Sequence, residues 1–101
     1  MHRSSKIAFS ASGDNTIVAA PVAGPITVYG LLFTTNGATN IIFRDTAAND
    51  YSGSLVFTGN GSSMTLPMVG SPWFQVQAGN GFVMNSTSAV GIAGIIWYDF
   101  G

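Results

Sequence analysis

Thirteen glycines and four prolines interrupt this sequence every few residues, and few windows between them are long enough for a helix. The runs between the breaks are short and rich in Val, Ile, Thr, Phe and Tyr, as several strands at regular spacing require. The pattern predicts eight or nine strands: Lys6–Ser10, Thr16–Ala20, Ile26–Thr35, Thr39–Asp45, Tyr51–Thr58, Ser63–Leu66, Trp73–Val76, Gly81–Ser86 and Val90–Tyr98. Asn36-Gly37, Asn60-Gly61 and Asn80-Gly81 read as type I′ hairpin turns, since Asn-Gly favours the positive φ angles such turns need. The prolines Pro21, Pro25, Pro67 and Pro72 fall between strands, where the missing N–H costs least. One all-β domain, a sandwich or barrel, is the fold class this predicts.

Charge is unusually sparse. Arg3, Lys6 and Arg44 stand against Asp14, Asp45, Asp50 and Asp99, whereas a domain of this length ordinarily carries about 25 charged residues. The hydrophobic fraction is 47%. A monomer built this way is poorly protected against association. Two strands sharpen the point, because both of their faces are apolar. In Ile26–Thr35, alternation puts Ile26, Val28, Gly30 and Leu32 on one face and Tyr29, Leu31 and Phe33 on the other. In Val90–Tyr98, Ala93, Ile95 and Trp97 oppose Val90, Ile92, Gly94, Ile96 and Tyr98. A half-solvated strand alternates apolar with polar. The second apolar face is therefore expected to meet another copy of the chain, with Tyr29, Leu31, Phe33, Ile95 and Trp97 as the candidate subunit interface; the alternative is a strand ending under a loop.

The same composition removes most chemistry. There is no cysteine and no glutamate, and the single histidine, His2, lies near the start. Nucleophilic catalysis needs a nucleophile beside a base, and no such pair is evident, so an enzyme is not expected and no cofactor is called for. Asp45 and Asp50 flank Thr46-Ala47-Ala48-Asn49 and read as turn formers that cap backbone amides. Asp45→Asn is then expected to be nearly silent. The same pair with Asn49 offers oxygen ligands for Ca²⁺, but not at the spacing of an EF-hand loop. Gly59-Asn60-Gly61 and Gly79-Asn80-Gly81 lead into no helix, so they read as turns rather than phosphate cradles. Tyr51, Trp73, Phe74, Trp97 and Tyr98 suggest a sugar-stacking platform, but with almost no charged side chains to recruit beside them they read as core or interface packing. A net charge of −1 argues against nucleic acid. No run reaches the apolar length of a transmembrane helix, and no apolar segment follows Met1–Lys6 as in a signal peptide.

An ordered series of segments adds a resemblance. It runs through Asn15–Ala20, Ile26–Leu31, Gly37–Asp45, Gly53, Leu66-Pro67, Pro72–Gly81, Met84–Ser86 and Val90–Tyr98. In this series the chain resembles the small jelly-roll decoration, or cement, proteins of tailed-bacteriophage capsids. The resemblance implies a jelly-roll-like antiparallel β-sandwich of about eight strands over residues 7–101, after a short N-terminal arm at 1–6. It implies a non-enzymatic homotrimer on the outer surface of the virion, clamping and stabilising the major capsid protein. His2, Arg3, Ser4, Ser5 and Lys6 become candidate docking residues; the shortness of the arm favours docking through the base of the trimer. The alternative is a receptor- or glycan-binding domain of a virion fibre or head fibre, motivated by Pro72-Trp73-Phe74 and the Tyr51 loop.

Overall fold

A computed structural model describes residues 2–22 and 24–100; Met1 and Gly101, the ends of the expected arm and domain, lie outside the described residues. The strands are β1 (Arg3–Phe9), β2 (Gly13–Val18), β3 (Ile26–Thr35), β4 (Thr39–Asp45), β5 (Leu55–Phe57), β6 (Ser62–Leu66), β7 (Phe74–Gln75), β8 (Phe82–Ser86) and β9 (Ile92–Phe100). No helix occurs among the described residues. The larger sheet has the order β1-β9-β3-β6, with β7 pairing β3; the smaller has the order β2-β8-β4-β5. All pairings are antiparallel. First strand pairs last, second pairs second-last, and so inward to the β4–β5 pair. That is the winding of a jelly roll, with β7 as an addition.

The winding explains why the Asn-Gly pairs are not type I′ hairpins. β3 and β4, β5 and β6, and β7 and β8 each lie in opposite sheets, so their connections arch across the sandwich. Of the Asn-Gly residues only Gly61 has a positive φ, at 84°, whereas a type I′ turn needs it at both central positions. Instead the arches are clipped by side chains. Asn36 Oδ1 accepts from Gly91 N at 2.6 Å, and Asn36 N donates to Gly91 O at 3.0 Å.

Two strand expectations are corrected. The segment expected as an arm is strand from Arg3 onward, in register with β9 from Arg3↔Tyr98 to Phe9↔Ile92. As an edge strand it turns only alternate residues inward, so Ser4 and Lys6 tolerate the solvent side while Ile7 is buried. The expected strand Tyr51–Thr58 shrinks to Leu55–Phe57, because Tyr51 and Ser52 are drawn into the β4–β5 loop. There Tyr51 N donates to Phe43 O at 2.7 Å and Ser52 Oγ accepts from Phe43 N at 3.0 Å.

The core lies between the sheets and is aromatic along its length. Phe33 packs edge-on against Phe57 at 5.3 Å and Phe43 at 6.3 Å; Phe43 continues to Phe74 and Phe82, both at 5.9 Å, and Phe74 to Tyr51 at 5.9 Å. Ile7, Ile26, Val28, Leu31, Ile41, Met84, Ile92 and Ile96 fill the space around this series. Strand β3 contributes both Val28 and Leu31 to this core, which strict alternation forbids. The register slips between Val28 and Gly30. Tyr29 is a bulge residue, and beyond it the inward parity changes.

Candidate functional site

The acidic residues do not form a paired site. Asp45 ends β4 pointing inward and is fully buried, at 0% exposure. Its Oδ1 accepts from the backbone N–H groups of Ala47 at 2.9 Å and Asn49 at 3.0 Å. Its Oδ2 accepts from Asn49 Nδ2 at 3.0 Å, Tyr51 OH at 2.7 Å and Asn80 Nδ2 at 3.1 Å. Tyr51 OH in turn accepts from Gln77 N at 2.8 Å. One carboxylate thus ties the β4–β5 loop to the loop after β7. Burial alone pushes the carboxyl up; the hydrogen bonds from Asn49, Tyr51 and Asn80 outweigh it and hold Asp45 well below the usual carboxylate range. Burial and the neighbouring carboxylate push the Tyr51 phenol up, against the opposing Gln77 N–H. The amide-capping reading of Asp45 agrees with these contacts, and their number makes Asp45→Asn an expected loss of stability rather than a silent change.

Asp50 turns the other way. It accepts from Arg44 Nε at 2.9 Å on the outside of the smaller sheet, where Arg44 Nη1 also meets Asp14 at 3.3 Å. Asn85 Nδ2 donates to the same Asp14 oxygen at 2.7 Å. Among the described residues no group of three or more His, Cys, Asp or Glu side chains could hold a metal ion. Asp45 spends its oxygens on N–H and O–H donors, which leaves Ca²⁺ poorly served there.

The expected interface set divides. Leu31 and Phe33, at 0% and 1% exposure, belong to the core and cannot meet another subunit; the bulge at Tyr29 puts them there. Ile95 and Trp97 stand on the outer face of the larger sheet, half-buried. Antiparallel register arranges that face in rows, since directly opposed residues share a face. At one end Asp99, Thr27 and Gln75 face one another, and His2 continues the row through a 2.7 Å contact from Nδ1 to Asp99 Oδ2. Ser4, Trp97 and Gly30 form the next row. Lys6, Ile95, Leu32 and Thr65 follow, then Ala8, Ala93, Thr34 and Ser63. Tyr29 leaves the bulge to stack on His2, with centroids 4.0 Å apart.

Gly30 leaves room on this face for the chain after β6. A Cβ there would lie 2.9 Å from Leu66 O and 2.8 Å from Met68 Cγ. Met68, 46% exposed, therefore lies beside Trp97 and lengthens an apolar strip that also holds Leu32, at 37% exposure, and Ile95. The two outer faces differ in kind. The smaller sheet carries the Asp14–Arg44–Asp50 network, and the apolar rows of the larger carry Lys6 alone as a charge.

The remaining candidates scatter. Phe74 and Tyr98 face the core, and Tyr51 is committed to Asp45, so the five aromatic residues make no common platform. Trp73 stays 44% exposed, with its indole N–H held by Pro67 O at 2.8 Å. Of the docking candidates, Arg3 lies over the Phe100 ring at 4.8 Å and Ser5 faces an open cleft lined by Ile17, Val18, Pro21, Val22, Tyr98 and Phe100. Ser4 and Lys6 are exposed on the outer face. Sequence reasoning missed Leu32 and Asn80, and offered Asn49 only as an oxygen ligand for Ca²⁺ rather than as a donor to Asp45. The change of parity at Tyr29 hid Leu32; no local signal marks Asn80, which meets Asp45 from a loop 35 residues away. No protein family, curated protein or solved structure matches this chain.

Proposed function

We propose that this chain is a non-enzymatic structural protein of a virion, a capsid decoration protein that assembles as a homotrimer and binds the major capsid protein on the outside of a phage head. One observation carries the assembly half of the reading: the outer face of the larger sheet presents Trp97, Ile95, Leu32, Met68, Ala93 and Ala8 together. Apolar side chains gathered on one exposed face, rimmed by polar residues, mark an interaction surface. A second copy suits these apolar rows because Lys6 is the one charge among them to be desolvated or moved to the rim, the His2–Asp99 pair lying at the end of the face. The capsid half and the number three rest on the resemblance in the strand series.

Docking is assigned to the β1 edge. Arg3, Ser4 and Lys6 are exposed there, and an edge strand leaves backbone donors and acceptors free for a partner. A trimer docking at three places at once gains from effective concentration. Purified protein added to undecorated heads of its own phage is expected to bind in multiples of three and raise the temperature at which the heads break. Heads that saturate without binding it would end the capsid reading. Arg3→Ala with Lys6→Ala should weaken that binding while leaving the oligomer intact.

A further inference from the structure

We infer that the polar end of the larger sheet's outer face, bounded by Trp73, is a carbohydrate-binding site. The site is independent of the decoration role and lies at the end of the association strip rather than within it.

A saccharide offers hydroxyl groups at its edge and C–H groups on its faces. A site for one needs polar side chains with free hydrogen-bonding atoms beside a fixed, exposed aromatic ring. Both occur here. His2, Asp99, Thr27 and Gln75 cross the sheet in one row. Internal bonds hold the row in shape: His2 to Asp99 at 2.7 Å, and Gln75 Nε2 donating to Thr27 Oγ1 at 3.0 Å. Among the described residues, Asp99 Oδ1, Gln75 Oε1 and His2 Nε2 have no hydrogen-bond partner, so the row keeps two acceptors and an imidazole nitrogen for a ligand. The sequence suggests no charged partner for the aromatic residues; the fold supplies one by bringing His2 and Asp99, at opposite ends of the chain, to the same row.

The aromatic side is equally built. Trp73 N donates to Val28 O at 2.8 Å, one step beyond the Val28–Phe74 pair, which stands Trp73 across from Tyr29. Its indole N–H is already satisfied by Pro67 O. The ring is therefore fixed in orientation, and its exposed part has only its π surface to offer. Tyr29, across from Trp73, stacks on His2 at the other end of the row. Pre-ordered rings and side chains reduce the entropy a ligand must overcome.

The test is a glycan array carrying mammalian, lipopolysaccharide, peptidoglycan and capsular oligosaccharides, followed by NMR titration of any glycan bound. Binding is expected, with shifts at Trp73, Gln75 and Asp99. Trp73→Ala and Gln75→Ala should each weaken it by about tenfold with the strand content intact; Gln75→Ala also takes a donor from the buried Thr27 hydroxyl and lowers the melting temperature slightly. Ile95→Asp should leave it unchanged, which separates failure of this site from failure of the association strip. An array on which nothing binds, shifts confined to other parts of the fold, or a correctly folded Gln75→Ala that binds at full strength would each overturn the inference. Capture of a protein instead of a glycan at Trp73 would overturn it as well.

Discussion

Asp45→Asn is expected to lower the melting temperature by roughly 10–20 °C, the equivalent of about 2–3 kcal/mol in a domain of this size. The carboxylate accepts from two backbone amides, two side-chain amides and a phenol. An amide in its place must turn an NH₂ toward some of those donors. At 0% exposure no water takes over the lost bonds, and a buried donor left unpaired costs about 1–3 kcal/mol. Asp50→Asn is the control. It breaks an exposed ion pair with Arg44, and such pairs contribute about 0–1 kcal/mol. Thermal denaturation of the two variants side by side checks the contrast; equal shifts would remove Asp45 from its place in the account.

The same group sets an acid limit. Its folded pKa lies below the unfolded value of about 3.9. The folded state therefore favours the ionised form, and this contribution is fully present above about pH 4. It is lost progressively as pH falls from there toward the folded value. Tyr51 works in the opposite sense: its raised pKa favours the neutral phenol, so its contribution is complete below about pH 10 and lost as pH rises through the folded value. Stability against urea should form a plateau between these limits, and Asp45→Asn should flatten the acid side selectively.

Gly94→Ala is the second large effect. Gly94 sits in the middle of β9 between Ile7 of β1 and Phe33 of β3. A Cβ there would run into the Leu32 carbonyl oxygen and lie 2.6 Å from Phe33 Cα. These are backbone atoms of a hydrogen-bonded neighbour, so relief requires β3 and β9 to part. Over-packing of this kind costs about 1–3 kcal/mol and sometimes more; the upper end applies where no side chain can yield. Gly53→Ala is the matched control, since nothing lies within 4 Å of its Cβ position. It should be neutral or slightly stabilising through the unfolded chain. A Gly94→Ala protein as stable as Gly53→Ala would contradict the β3–β9 packing.

The strands were legible because glycine, proline and β-branched residues punctuate them, and Thr39–Asp45 and Ile26–Thr35 match to the residue. Facing was legible only where the register runs unbroken. Ile95 and Trp97 share an outer face in β9, where alternation holds throughout. In β3 the same rule fails at Tyr29, because a bulge adds one residue and reverses everything after it. The one local mark of that bulge is Gly30, since a glycine inside a strand often signals a bulge or a close backbone approach; alternation alone passes over it. Asn-Gly was read as a hairpin because that is its local preference, and the sheet-to-sheet winding overrode it. The Asp45 cluster was legible in part: the capping of the Ala47 and Asn49 amides is local, whereas Asn80 reaches the carboxylate from a distant loop. The His2–Asp99–Thr27–Gln75 row was illegible because its residues are distant in sequence and become neighbours only through β-pairing, which local patterns do not encode.

The central claim is self-association through the outer face of the larger sheet. Sedimentation velocity at micromolar concentration, comparing the natural chain with Ile95→Asp, tests it most directly. Ile95 is half-buried on that face and outside the core, so the aspartate is tolerated by the fold and rejected by the interface. The natural chain is expected near three times its 10.5 kDa monomer mass, and the Ile95→Asp protein at the monomer mass with its strand content intact. A natural chain that sediments as a monomer, or a folded Ile95→Asp protein that still assembles, would contradict the account.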